Sequence, residues 1–194
     1  MSDVQSKASE LAPRCFLLSS VIGVWQRESA RFTMRETGGM LIGYWTRSGM
    51  VTITHATGPG PNAIHGYCHF TADHHYCQRI LDGVIDQTGG DLTYVGDWHT
   101  HPFGSTNPSR IDSKTALSVA DDPGYLCPRP LVAIYRPEQH ISCVHLSGKF
   151  SIWALSDSEE PLVSLDPKTI CSIPGYSLPT IWSFSHPPSS RPSP

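Results

Sequence analysis

The feature that most constrains this chain is the run His99-Thr100-His101-Pro102-Phe103-Gly104-Ser105-Thr106-Asn107-Pro108-Ser109-Arg110-Ile111-Asp112. It follows residues 92–98, an apolar and β-branched segment that reads as a buried strand. Residues two apart on a strand face the same way, so His99 and His101 aim their imidazoles together. The Pro- and Gly-containing loop 102–108 then turns the chain back, and Ser109 and Asp112 stand where a helix begins. Two imidazoles and a carboxylate converging on one point make a three-ligand zinc site with the fourth position open, the arrangement of catalytic rather than structural zinc.

Each part also has a plainer reading. A His-x-His on a strand is more often a packing or surface feature, and Ser109 with Asp112 fits a helix N-cap with a reciprocal capping residue. The two readings are compatible, because a capped first turn holds its carboxylate in a fixed direction. Upstream lies Glu36-Thr37-Gly38-Gly39-Met40-Leu41-Ile42-Gly43. With that segment included, the pattern resembles the JAB/MPN (JAMM-motif) metallopeptidase family, whose signature is a glutamate upstream of His-(Ser/Thr)-His-x7-Ser-x-x-Asp. Glu36, His99, Thr100, His101, Ser109 and Asp112 occupy its defined positions. The resemblance spans roughly residues 14–155. The runs 58–63 (GPGPNA) and 96–102 (GDWHTHP) are similar to bacterial members encoded beside ubiquitin-like conjugation enzymes, including those of cyclic-nucleotide anti-phage operons.

The resemblance implies one zinc ion per chain on His99, His101 and Asp112, with Glu36 as the proton carrier and Ser109 as hydrogen-bond donor to the oxyanion. It implies hydrolysis of a peptide or isopeptide bond at the C-terminus of a ubiquitin-like or similarly conjugated protein. In the anti-phage operons that protein is a cyclic-nucleotide synthase. A substrate tail would lie extended along a sheet edge. Only about 17 residues separate Asp112 from the next expected strand, which leaves little room for a linkage-selecting insertion. Asp97 departs from the aromatic common in the broad family. Alternation puts it on the histidine face, where it either orients a ligand imidazole or is a satisfied structural carboxylate. Two rivals share the residues: a zinc amidase for small molecules, and a non-catalytic scaffold, which usually lacks ligands.

Composition narrows the setting. At 194 residues the chain suits one domain with a real core. With 16% charged residues, net charge −3 and no Lys/Arg run, a nucleic-acid surface is not expected. No apolar run approaches a membrane span, and the polar N-terminus lacks a signal-peptide core, so a cytoplasmic protein is expected. The six cysteines form no C-x-x-C pair and read as free, mostly buried thiols. Cys143 beside His145 is a weak hint of cysteine chemistry.

Along the chain, residues 1–13 read as a disordered tail and 15–27 as an amphipathic helix on Leu17, Leu18, Val21, Ile22 and Trp25. Residues 40–45 and 50–56 read as a hairpin, with Gly38 and Gly39 permitting close backbone approach before it. The span 63–77 holds His65, Cys68, His69, His74, His75 and Cys77. Their spacing fits no common structural zinc pattern, and a helix capped at Thr71 or Asp73 is the better reading. Its core stripe is Cys77, Ile80, Leu81, Val84 and Ile85, ending at Gly89-Gly90. A helix runs on from Asp112 to the 121–124 break, followed by strands at 130–136, 140–146 and 149–155. Residues 156–194, with eight prolines, read as a tail. The fold expected is α/β of the α+β type: a single JAB/MPN-like domain over 14–155, with a mixed β-sheet flanked by helices.

Overall fold

In the computed structural model, which describes residues 15–47, 50–137, 141–146 and 153–155, the histidine-bearing segment is the fourth of seven strands in one sheet. In chain order the elements are β1 (Cys15–Leu17), α1 (Ser19–Arg31), β2 (Gly38–Trp45), β3 (Val51–Ala56), β4 (Ile64–His65), β5 (Phe70–Thr71) and α2 (His74–Thr88). Then come β6 (Thr93–Thr100), α3 (Arg110–Asp121), a 3-10 turn (Pro123–Tyr125), β7 (Leu131–Arg136), β8 (Ile141–Leu146) and β9 (Trp153–Leu155). The sheet order is β1-β3-β2-β6-β7-β8-β9, with β1/β3 and β6/β7 parallel and the other neighbours antiparallel. Strands β4 and β5 form a separate two-stranded ribbon. This is the mixed sheet with flanking helices expected from the sequence. The reading of the two terminal tails falls outside the described residues.

Helices cover both faces of the sheet. On one face Val21 and Trp25 of α1 pack with Leu41, Ile53, Val95, Trp98 and Tyr135. Trp25 and Trp98, both essentially inaccessible, stack with centroids 5.8 Å apart. On the other face Cys77, Leu81 and Val84 of α2 meet Ile42, Leu92 and Tyr94, and Ala116 of α3 packs on Val132 and Ile134. Helix α2 starts where Asp73 accepts the Tyr76 N–H, and ends on left-handed Gly89 (φ +60°), two ends that the sequence signals.

The N-terminus corrects the sequence reading. Residues 15–17 are not the first turn of a helix but strand β1, pairing in parallel with Val51, Thr52 and Ile53. The helix starts at Ser19 and runs on to Arg31. Buried Cys15 and Leu17 satisfy the sheet edge, where pairing with β3 outweighs a short run that fits either period.

Strand β6 does not alternate evenly. Leu41 stands opposite Gly96 but Ile42 stands opposite Tyr94, so Val95 is an extra residue in β6. This bulge sends Val95 and Trp98 to the α1 face while Tyr94 and Asp97 share the other, close enough for the Tyr94 hydroxyl to donate to Asp97 at 2.7 Å. Gly96 has φ +150°, and a Cβ there would strike the backbone of Leu131 on β7. Only glycine lets the bulge and the β7 pairing coexist. Gly96→Ala is expected to lower unfolding free energy by at least about 1–3 kcal/mol from backbone strain. Gly83→Ala, in helix α2 with nothing within 4 Å of the new methyl, is expected to raise it by about 0.5–1 kcal/mol. Urea denaturation of both variants checks this; an unchanged midpoint for Gly96→Ala would contradict the bulge.

Candidate metal centre

At the end of β6 the chain leaves the sheet with His99 and His101 on one side, and α3 begins opposite them. His99 Nε2 and His101 Nε2 lie 3.0 Å apart. Asp112 Oδ1 is 3.5 Å from His99 Nε2, and Oδ2 is 3.7 Å from His101 Nε2. Among the described residues this is the one group of three or more metal-ligating side chains, its donor atoms all within 4.8 Å of one another. The capping box read from the sequence is present as well: Ser109 Oγ accepts the Asp112 N–H at 3.2 Å, and Asp112 Oδ2 accepts the Ser109 N–H at 2.6 Å. The cap therefore fixes the carboxylate with Oδ1 toward His99 and Oδ2 toward His101.

The donor set suits a divalent cation. His101 Nδ1 lies 2.7 Å from the Ser105 carbonyl oxygen, an acceptor only, so this nitrogen carries the proton. The neutral ring then presents a bare Nε2 lone pair to the cluster, the tautomer that a ligand needs. Burial pushes the Asp112 carboxyl up, but bonding to His101, His99 and Ser109 outweighs it and holds the group well below the usual carboxylate range. Burial likewise lowers His101, while Asp112, the Ser105 carbonyl and Glu36 carry it above the ordinary imidazole value. Both directions mark a position that favours positive charge. Imidazole nitrogens and a carboxylate oxygen are zinc ligands.

Glu36 reaches this place through the pairing of β2 with β6. Gly38 stands opposite His99, where the β2–β6 register ends, and Glu36 lies two residues before it. Thr37 N–H donates to Thr100 Oγ1 at 3.0 Å and Thr100 N–H to the Thr37 carbonyl at 2.8 Å, both residues fully buried. A Cβ on Gly38 would overlap the Trp98 carbonyl and stand 2.9 Å from both His99 Cβ and Phe70 Cε1, which is why the close approach needs glycine here. Burial raises the Glu36 carboxyl above the ordinary glutamate value, against the pull of His99 and His101. Glu36, Asp97, His99, His101, Ser109 and Asp112 all line one cleft of about 740 Å3, with exposed Tyr67, Phe103 and Ile111 among its walls.

A model of the prokaryotic homologues of the JAB domain matches residues 21–163. This chain belongs to that family. Its members are hydrolytic, and this chain is an enzyme of that class. The JAB chain is 32% identical over 116 residues to a probable metalloprotease y4qB of Sinorhizobium fredii, covering 59% of this chain and 71% of that protein. It is 33% identical to two proteins named CD-NTase/cGAS isopeptidase. For the Escherichia coli protein the match covers 43% of this chain and 53% of the relative; for the Enterobacter hormaechei protein, 60% and 63%. The chain thus spans about half to two thirds of those two relatives. The fold is also that of the solution structure of protein DSY2949 from Desulfitobacterium hafniense, with TM-score 0.53 and 17% identity over 73% of this chain and 90% of that one.

Asp97, left open between two roles, and the span 65–77, read as leading into a capped helix rather than a metal site, stand beside the five clustered residues. The JAB domain's Asp97 takes the Tyr94 hydroxyl, and no hydrogen bond joins it to either histidine among the described residues. The partner that orients His101 is a backbone carbonyl, which no sequence pattern announces. The His- and Cys-rich span 65–77 gathers no metal group among the described residues: His74 and His75 are exposed on α2, while Cys77 is buried and faces Thr57. Burial pushes the Cys15 thiol up to about 12 and Cys127 up to about 11, as for inert core thiols, and Cys68 is exposed. The side chains of Cys143 and His145 lie outside the described residues. If the cluster holds a metal ion, Asp112→Ala is expected to lose the ion that the wild-type protein retains, measured by elemental analysis after dialysis. Stoichiometric zinc in that variant would remove Asp112 from the ligand set.

Proposed function

We propose that this JAB-family chain is a zinc-dependent peptidase or isopeptidase that cleaves at the C-terminus of a ubiquitin-like or similarly conjugated protein. The observation that carries the reading is the convergence of Glu36, His99, His101, Ser109 and Asp112 on one open cleft. His99, His101 and Asp112 would hold the ion. Zinc bound there supplies Lewis acidity, making water ionise near neutral pH and polarising a carbonyl. Glu36 takes the proton from the attacking water at its carboxylate and returns it to the leaving nitrogen. Its raised pKa suits it to both halves of that transfer. The Ser109 oxygen accepts from Asp112 N–H, which leaves its own hydrogen free to donate to the oxyanion.

The substrate class rests on the wall residues and on the relatives. Exposed Tyr67, Phe103 and Ile111 rim an open cleft suited to an extended chain rather than an enclosed small amide. Two relatives carry isopeptidase names, which favours a conjugated protein, and a conjugated cyclic-nucleotide synthase is the finer reading. Among the described residues no helix is long and apolar enough to cross a membrane.

Glu36→Ala serves as a trap: it is expected to keep zinc, retain its substrate and leave it uncut. Partners captured from host cells on this variant are expected to include high-mass conjugates that wild-type enzyme collapses. On the same conjugates Ser109→Ala is expected to lose about 10²–10³ in kcat while still binding zinc. A zinc-loaded trap that retains no protein, with wild type cleaving small amides instead, would overturn the protein-deconjugation reading.

A further inference from the structure

Glu36 lies in residues 32–37, an irregular link between α1 and β2, so no helix or strand of its own fixes its backbone. Its peptide groups are held by the β4–β5 ribbon instead. The Glu36 N–H donates to the Gly66 carbonyl at 2.8 Å. On the other side His65 Nδ1 lies 3.0 Å from the Glu36 carbonyl oxygen. A carbonyl can only accept, so Nδ1 carries the hydrogen. The imidazole is itself wedged: it stacks on Phe32 with centroids 3.6 Å apart and planes 10° from parallel, and Phe70 packs beside it at 5.5 Å. Arg35 adds a contact, with its guanidinium 3.5 Å from the His65 carbonyl oxygen and over the Tyr67 ring.

The same ribbon faces the cleft. Tyr67, Cys68, His69, Phe70 and Thr71 line it alongside Glu36, His99 and His101. The Gly66 N–H donates to the His69 carbonyl, closing the turn, and the His69 ring lies over Gly66 so closely that a side chain there would collide. One short element therefore grips the backbone of Glu36 with its base and meets whatever enters the cleft with its tip.

We propose that His65 is a positioning residue: its Nδ1–H, held by the Phe32 stack, clamps the Glu36 carbonyl and fixes the carboxylate beside the metal cluster, with the β4–β5 ribbon joining that clamp to the substrate cleft. The proposal rests on Glu36 being the proton carrier. The imidazole never touches the reacting atoms; it acts through the peptide of Glu36. Because the carboxylate must sit within reach of both the attacking water and the leaving nitrogen, a small displacement lowers turnover with little effect on substrate affinity.

The test uses the zinc-loaded full chain and two substitutions. His65→Phe keeps the stack and removes the donor, while His65→Asn places an amide N–H near the position of Nδ1. Hydrogen exchange at the Thr37 amide, whose peptide group carries the Glu36 carbonyl that His65 grips, is expected to speed up about 2- to 12-fold in His65→Phe, the range one hydrogen bond gives, and to return toward wild type in His65→Asn. Bound zinc is expected to stay at one per chain in both. On the C-terminal aminocoumarin amide of a ubiquitin-like protein, kcat is expected to fall about 10- to 100-fold in His65→Phe with KM within about two-fold, and His65→Asn is expected to recover most of it. Unchanged Thr37 exchange in His65→Phe, zinc loss in that variant, or no recovery in His65→Asn would each overturn the clamp. Glu36→Gln, run in parallel, separates the two claims. If it turns over normally, the proton-carrier reading fails. If it is inactive while His65→Phe matches wild type, the clamp alone fails. Should wild type leave the amide uncut, the substrate reading fails and the exchange data still decide the clamp.

Discussion

The antiparallel contact between β2 and β6, closed at its end by Thr37 and Thr100, is the interaction on which the site depends. Two buried hydrogen bonds in this bracket tie the glutamate-bearing loop to the strand carrying both histidines. In a low-dielectric setting such bonds cannot be exchanged for water without cost, so Thr37 and Thr100, the residues that follow Glu36 and His99, are held in fixed register, and the peptide groups of Glu36 itself are held by the β4–β5 ribbon. The approach is close enough that Gly38 cannot carry a side chain. A second backbone device, the bulge at Val95-Gly96, turns the last part of β6 so that Trp98 fills the α1 core while His99 faces the cleft. Packing and chemistry thus occupy alternate residues of one strand.

The site brings together groups whose donor atoms suit a cation. Two imidazole nitrogens 3.0 Å apart and a carboxylate leave either a shared proton or a bound ion between them. The loop after β6 fixes the His101 tautomer through the Ser105 carbonyl, and the first turn of α3 fixes Asp112 through its reciprocal cap with Ser109. The helix cap and the candidate ligand set share one carboxylate: Oδ2 accepts the Ser109 N–H and lies 3.7 Å from His101, and Oδ1 lies 3.5 Å from His99.

Much of this was legible in the residues. The His99-x-His101 pair, the Ser109–Asp112 cap and the Gly38-Gly39 approach each follow from local rules, and their convergence follows from family resemblance. Helix α2 was legible because Asp73 and Gly89 mark its ends and its apolar stripe has the helical period. The short elements were not. Strand β1 looked helical because three apolar residues fit either period, and only its pairing with β3 decides between them. Strands β4 and β5 have two residues each, too few for alternation to register, so His65 stood out only as one histidine in a crowded span. The bulge was hidden because a single glycine in a strand marks many things, so the Tyr94–Asp97 hydrogen bond was not legible, and Asp97 stayed open between two roles.

X-ray absorption at the zinc edge of the loaded full chain tests the central claim most directly. The account predicts one zinc per chain with two imidazole nitrogens and oxygen donors, all at about 2.0–2.2 Å. A sulfur shell near about 2.3 Å would contradict it, because zinc would then sit on cysteine rather than on His99, His101 and Asp112.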